Sequence, residues 1–296
     1  MPCCLRVATS GAIVMSDVAR MGRLLWPTID AIEIGSLDGE ADLHTVLDLV
    51  EGRHLDWAMH MPLWRRGPAR VPLTPAGPSP EEEHSLRADM ILGQRYKAAY
   101  ALAHAPWLPD HRMSVTRAEA LARETVRLLR DLAWKYDLPV VLELKLGLNR
   151  DPGILSYLLA DPEGFLDLDD VSLCLDTGDW LLACEAEGVD AVKAFEPLAV
   201  RTAVVHAHAV ERGSDHYLWK PIHPSSPDAA AVRDLCQLAL DARSELTLVF
   251  EHTPHVDPGP AYDLEGYHWL LSALTCRADP LPRHAEPSSE GNRCST

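Results

Sequence analysis

The 296-residue chain is expected to fold as an α/β protein, a single (β/α)8 TIM barrel, and three observations lead there. Eight short apolar runs with strand character alternate with longer segments of helical period, the mark of a parallel α/β fold. The length suits the ~250 residues that such barrels use as one domain. No GxGxxG follows the first run, which speaks against an open dinucleotide-binding sheet.

The candidate strands, in order, are LRVATSG (5–11), DAIEIGS (30–36), LDWAMHM (55–61), YALAHAP (100–106), PVVLELK (139–145), VSLCLDT (171–177), TAVVHAHAV (202–210) and LTLVFEH (246–252). Between and after them lie helical segments at 16–26, 42–52, 81–99, 116–136, 153–161, 180–188 with 189–199, 227–242 and 264–274. In the clearest of these, Leu121, Val126, Leu128, Leu129, Leu132 and Trp134 form an apolar stripe, with Ser114 or Thr116 as the cap. The stretch 62–84 is rich in Pro and Gly and long for a βα loop, so it is expected to cover the carboxyl face of the barrel. The barrel domain is taken as 1–276, and the polar, Pro-bearing tail 277–296 is expected to be disordered.

Composition narrows the function classes. With 47% hydrophobic and 24% charged residues the chain is globular in type, and 27 Lys+Arg against 44 Asp+Glu give a formal charge of -17. That charge disfavours a nucleic-acid partner and suits the holding of cations. Seven scattered cysteines with no CxxC pair signal neither a disulfide framework nor a zinc ribbon, and no run approaches the roughly 18 apolar residues of a membrane span. A cytoplasmic protein without a membrane partner is expected, and a homo-oligomer is compatible with the sequence.

The carboxyl ends of the strands carry the chemistry. In a barrel these ends converge on one face, so side chains far apart in sequence meet there. The third strand supplies His60 and the fourth His104. The fifth supplies Glu143 and Lys145, the sixth Asp176 with Asp179 just beyond, the seventh His206 and His208, and the eighth Glu251. Strand interiors are normally apolar, because a buried carboxylate survives only when paired or on a metal. His and carboxylate types repeated on converging strands are what a divalent cation needs, and their number argues for a metal over four coincidences.

The motifs VVLELK, LCLDTGDW, HAHAVERGSDH and LVFEH, in this order, resemble those of the xylose isomerase-like TIM barrel superfamily over residues 4 to about 275. That superfamily holds sugar isomerases and epimerases, inosose dehydratase, hydroxypyruvate isomerase and the endonuclease IV group. The resemblance implies that Glu143, Asp176, His208 and Glu251 ligate one divalent metal, with Mn, Zn, Mg, Co and Fe not distinguished by spacing. His208 fits the family's His-x-x-acidic step as HAVE, with His206 one pleat deeper.

Glu143, Glu251 and Lys145 are then the catalytic candidates, and His60, His104, Arg65, Trp107 and His206 face the substrate. Arg65 would meet an anionic group, and Trp64, Trp107, Trp180 and Trp219 would form a sugar-stacking wall. Asp179, Asp215 and His216 are the candidates for a second metal.

The expected function is isomerisation or epimerisation of a small sugar or polyol-like carbonyl compound through an enediolate. Two alternatives stand beside it. One is an endonuclease IV-like phosphodiesterase, favoured by His60 and His104 but weakened by Asp179, where those enzymes carry His. The other is a non-catalytic metal-binding barrel that acts through a partner.

Overall fold

The computed structural model describes residues 4–10, 29–64, 80–105, 114–146, 153–162, 171–213, 217–251 and 260–274. Within them the chain runs β1 (Cys4–Ser10), β2 (Ala31–Ile34), α1 (Glu40–Arg53), β3 (Asp56–His60), α2 (Pro80–Arg95), β4 (Ala101–His104), α3 (Val115–Tyr136), β5 (Val140–Leu144), α4 (Ile154–Ala160) and β6 (Ser172–Asp176). It continues through α5 (Thr177–Glu187), α6 (Ala191–Ala199), β7 (Thr202–Ala207), β8 (Ala209–Arg212), β9 (Tyr217–Lys220), α7 (Ala229–Ala242), β10 (Glu245–Phe250) and α8 (Pro260–Ala273).

Among the described residues, β1 to β7 and β10 pair in parallel and close into a barrel in sequential order, with β10 hydrogen-bonded to both β7 and β1. The predicted (β/α)8 barrel is thus the fold. Its strands are short and Val/Leu-rich because both faces are covered, one by the helices and one by the barrel interior. Val205, Leu248, Phe250 and Leu142 face the helix layer, packed with Leu129, Val232 and Leu270. A second cluster fills the interior with Ala8, Ala58, Leu102, Val141, Val204 and Val249.

Several sequence expectations shift. The seventh run is not one strand to 210: β7 ends at Ala207 and the chain re-enters a two-stranded antiparallel hairpin, β8 with β9, pairing Ala209 with Lys220 and Arg212 with Tyr217. His208 therefore lies at the break between barrel and hairpin. The predicted loop 62–84 is shortened at its end, since α2 begins at Pro80 with Glu81, Glu82 and Glu83 in its first turn, where acidic side chains oppose the helix dipole favourably. Trp64 bridges to Leu37, and residues 65–79 lie outside the described residues. The first predicted helix (16–26) and the tail 277–296 also lie outside them.

In α3 the stripe is buried at Leu121, Val126, Leu129 and Leu132, but Trp134 is 88% exposed. At 100° per residue Trp134 falls on the side of Arg123 and Arg127, opposite the buried Ala118 and Leu129. Ser114 takes the N-cap position with extended backbone, without a capping side-chain hydrogen bond. No helix among the described residues is long and apolar enough to cross a membrane.

Candidate active site

The period of two along each strand builds the site. Every barrel strand places one residue in the interior cluster or its level, and the residue two further on points into the next level toward the carboxyl face. Ala8 is followed by Ser10, Ala31 by Glu33, Ala58 by His60, Leu102 by His104, Val141 by Glu143, Cys174 by Asp176, Val204 by His206, and Val249 by Glu251. An apolar layer is thus capped by a ring of eight polar residues, one per strand. One further step along the chain direction come Lys145 after Glu143 and His208 after His206.

On one side of the ring Glu143 Oε2 lies 3.0 Å from His104 Nε2 and 3.2 Å from His60 Nε2, and the two imidazoles are 3.3 Å apart. Lys145 Nζ donates to Glu143 Oε1 at 2.9 Å and stands 4.0 Å from Asp176 Oδ2. On the other side His206 Nδ1 is 2.7 Å from Glu251 Oε2 and 3.8 Å from Glu143 Oε1. The Ser10 hydroxyl donates to Glu251 Oε1 at 3.4 Å.

Asp176 is held at the start of α5, where its Oδ1 caps the helix by accepting the Asp179 N–H at 2.9 Å. The same oxygen lies 2.8 Å from His208 Nε2. His208 is clamped by its backbone: its N–H donates to Thr177 Oγ1 at 3.2 Å, and the Thr177 hydroxyl donates back to the His208 carbonyl at 3.1 Å. Its ring packs against Trp219, centroids 5.1 Å apart. Gly178 leaves the space, because a Cβ there would come within 2.3 Å of His208 Cε1. A histidine after β7, a glycine in the first turn of α5 and a tryptophan on β9 thus form one packing unit.

The electrostatics follow from the buried carboxylates Glu143, Asp176 and Asp179 and the partly exposed Glu251, which surround one lysine, with the buried Glu33 set apart from it. Burial pushes the Glu143 carboxyl up, but Lys145 and His104 outweigh it and hold it well below the usual range. Burial likewise opposes, and His206 with Lys145 overrides, in keeping Glu251 ionised, and His208 does the same for Asp176. Lys145 loses by burial and gains more from Glu143, Asp179, Asp176 and Glu251, ending well above an ordinary lysine. Burial lowers His104 to about 4 despite Glu143, so it is a neutral donor or ligand near pH 7. Asp179 is raised to about 7 by burial and by Asp176.

Several buried donor and acceptor atoms here have no aligned hydrogen-bond partner: Glu143 Oε2, Glu251 Oε2, His208 Nδ1 and both nitrogens of His206. Carboxylate oxygens and imidazole nitrogens that crowd to within about 3 Å of one another suit a cation. Two sets of ligand atoms lie within 4.8 Å of one another, His60 with His104 and Glu143, and Glu143 with Asp176 and His206. One set has two imidazoles with one carboxylate and the other two carboxylates with one imidazole, mixtures of nitrogen and oxygen that fit a borderline divalent ion. Glu143 belongs to both sets.

Of the residues nominated from sequence, the fold brings together Glu143, Lys145, Asp176, His206, His208, Glu251, His60 and His104. Asp179 Oδ2 accepts the Leu146 N–H at 3.1 Å, and its carboxyl is one of the charges that raise Lys145. Arg65, Trp107, Asp215 and His216 lie outside the described residues. The tryptophan wall is corrected at Trp180, which is fully buried against Phe195 with its Nε1 donating to the Ala191 carbonyl. Sequence reasoning missed Ser10 and Glu33. The period-two rule, applied to the first two strands as it was to the later six, would have found both.

No family model and no curated protein matches the sequence. Solved structures do. The chain is similar to a D-tagatose 3-epimerase-like protein at 15% identity, covering 90% of this chain and 97% of that one, with a TM-score of 0.65. It is similar to an IolI protein solved with a bound zinc atom, at 14% identity over 90% and 94% of the two chains, TM-score 0.57. It is also similar to endonuclease IV from Thermus thermophilus, at 14% identity over 90% and 98%, TM-score 0.51. At these identities the likeness speaks for the fold, and the fold is the one these three structures share, as the sequence motifs led one to expect.

Proposed function

We propose that the chain is a divalent-metal-dependent isomerase or epimerase acting on a small sugar or polyol-like carbonyl compound, with the cation held by Glu143, Asp176, His208 and Glu251. The observation that carries this reading is the ring of eight polar residues, whose carboxylates Glu143, Asp176 and Glu251 are all drawn toward one lysine, Lys145. A ring of that charge on an apolar floor calls for a further cation. Similarity to an epimerase-like protein and to a zinc-bearing barrel supports the substrate class and the cation.

When bound, the cation supplies Lewis acidity toward adjacent carbonyl and hydroxyl oxygens. The protein supplies the rest. Glu143 and Glu251, from strands on different sides of the ring, are both held ionised and so able to take a proton from a substrate carbon and return one. Lys145, between Glu143 and Asp176, donates to the substrate oxygen on which negative charge grows. His60 and His104, beside Glu143, orient hydroxyls. Arg65 meets an anionic group where the substrate has one.

Incubation of the metal-loaded protein with ketoses, inososes and hydroxypyruvate in deuterated water tests this. Deuterium is expected at one carbon of at least one compound, and the exchange should vanish in Glu143→Gln. Absence of exchange from the whole set would count against the reading.

A second reading has one observation in its favour. His60, His104 and Glu143 converge as a separate ligand set, and one structural neighbour is an endonuclease IV. Metal-assisted phosphodiester hydrolysis would use more than one ion per chain. The formal charge of -17 opposes it, since a phosphodiester backbone would have to approach an acidic protein. Nicking of an oligonucleotide with an abasic site distinguishes the two.

A further inference from the structure

The β2 member of the polar ring, Glu33, is 1% exposed and reaches neither the mouth of the barrel nor Lys145's hydrogen bonds. Its Oε2 accepts the Tyr100 hydroxyl at 2.8 Å, which fixes the carboxylate plane. Its Oε1 is then 3.0 Å from His206 Nε2, and the opposite nitrogen of the same ring, Nδ1, is 2.7 Å from Glu251 Oε2. A charged carboxylate in so dry a place needs a counter-group, and His206 is the basic side chain at ion-pair distance from it. The imidazole is gripped between two carboxylates, one below the site and one in it.

Resting on the metal-centre reading above, we propose that Glu33 and His206 are a positioning pair: Glu33, steadied by Tyr100, fixes the ring of His206, and that ring holds Glu251 in place from beneath. Glu251 is then fixed at both oxygens, by His206 at Oε2 and by the Ser10 hydroxyl at Oε1. His206 has a carboxylate at each ring nitrogen, whereas His208, just beyond β7, has its Nε2 on Asp176 and its backbone clamped to Thr177. Outer-shell carboxylates behind metal-site imidazoles commonly contribute 10–100-fold in metal affinity, and Glu33 acts here one residue further removed, through His206 on Glu251.

The test uses the full-length chain and Zn2+ as the probe. Zinc dissociation constants are measured by competition with a chromogenic chelator for wild type, Glu33→Gln, Glu33→Leu and His208→Ala. Glu33→Gln keeps the shape and removes the charge, and is expected to weaken zinc binding about tenfold, with about a hundredfold for Glu33→Leu. His208→Ala should lose binding more severely than either. The second readout needs no metal. In the metal-free protein labelled with 15N-histidine, the His206 ring N–H signals, assigned through His206→Gln, should be downfield and slow to exchange with water in wild type. They should move or broaden in Glu33→Gln.

A Glu33→Gln protein that binds zinc within twofold of wild type and leaves the His206 signals unmoved overturns the pair, whether or not Glu33→Leu folds. Wild type that binds no zinc would overturn the metal-centre reading instead. The His206 signals would then still decide whether Glu33 governs that ring.

Discussion

Asp179 shows what a single buried carboxyl does to the stability of this site. Burial and the neighbouring Asp176 raise it to about 7, while the Leu146 N–H partly offsets them. A carboxyl raised in this way favours the folded state while it is protonated. Its contribution is present below the ordinary carboxylate value of about 4 and is lost as pH climbs through 7. Asp179→Asn stays neutral at every pH and can still accept the Leu146 N–H. In the metal-free protein it should therefore gain stability over wild type by on the order of 1 kcal/mol or more at pH 8, and by much less at pH 4.5. Denaturant titrations at the two pH values check this. An equal difference at both would show that the carboxyl is not raised. At this scale the sequence was legible wherever strand parity was followed: Glu143, Asp176 and Glu251 are in the ring, and Ser10 and Glu33 would have been found by the same count. Contacts set by closure of the barrel were not legible. No spacing relates Glu33 to Tyr100 or to His206, because those partners come from strands that meet only when the sheet curls shut.

The elements that carry the ring are positioned by close backbone approaches as much as by apolar burial. Gly266 in α8 lies against the segment that joins β9 to α7, where an added Cβ would stand 1.7 Å from the Ile222 carbonyl oxygen and 2.8 Å from its carbon. Those are backbone atoms and cannot swing away. Gly266→Ala should cost several kcal/mol of stability, more than the roughly 1 kcal/mol that alanine would return through helix propensity. Chemical denaturation of the variant measures it, and a neutral or stabilising result would mean that α8 is not seated as described. The helix α3 was legible from its stripe because the apolar face is wide and the opposite face carries Arg123, Arg127 and Arg130. Trp134 misled by composition alone, since its angular position places it with the arginines. The β8–β9 hairpin was not legible. TAVVHAHAV reads as an unbroken alternating strand, and the turn at His208 arises from the clamp between that residue and Thr177, a contact between elements 31 residues apart.

At the scale of the whole molecule, an acidic chain with a formal charge of -17 concentrates four buried carboxylates at the carboxyl face of its barrel. The apolar layer below gives those charges no water, and Lys145 with the imidazoles offsets them in part. A cation that binds the folded form and not the unfolded chain stabilises the former by mass action, about 2.7 kcal/mol at a concentration 100 times its dissociation constant. The fold was legible from the eight-fold alternation and from the motifs that end its later strands. The reaction was less so, because a fold shared with an epimerase-like protein and with an endonuclease does not by itself fix the chemistry.

The claim that this ring is a metal centre is tested most directly by elemental analysis of the gently purified and reloaded chain beside the double variant Asp176→Asn with Glu251→Gln. The account predicts about one tightly held Mn, Zn, Fe, Co or Mg ion per wild-type chain, removable by chelator, and none retained by the double variant although it folds. Wild type that keeps no metal after reloading, or a double variant that keeps as much as wild type, would contradict it.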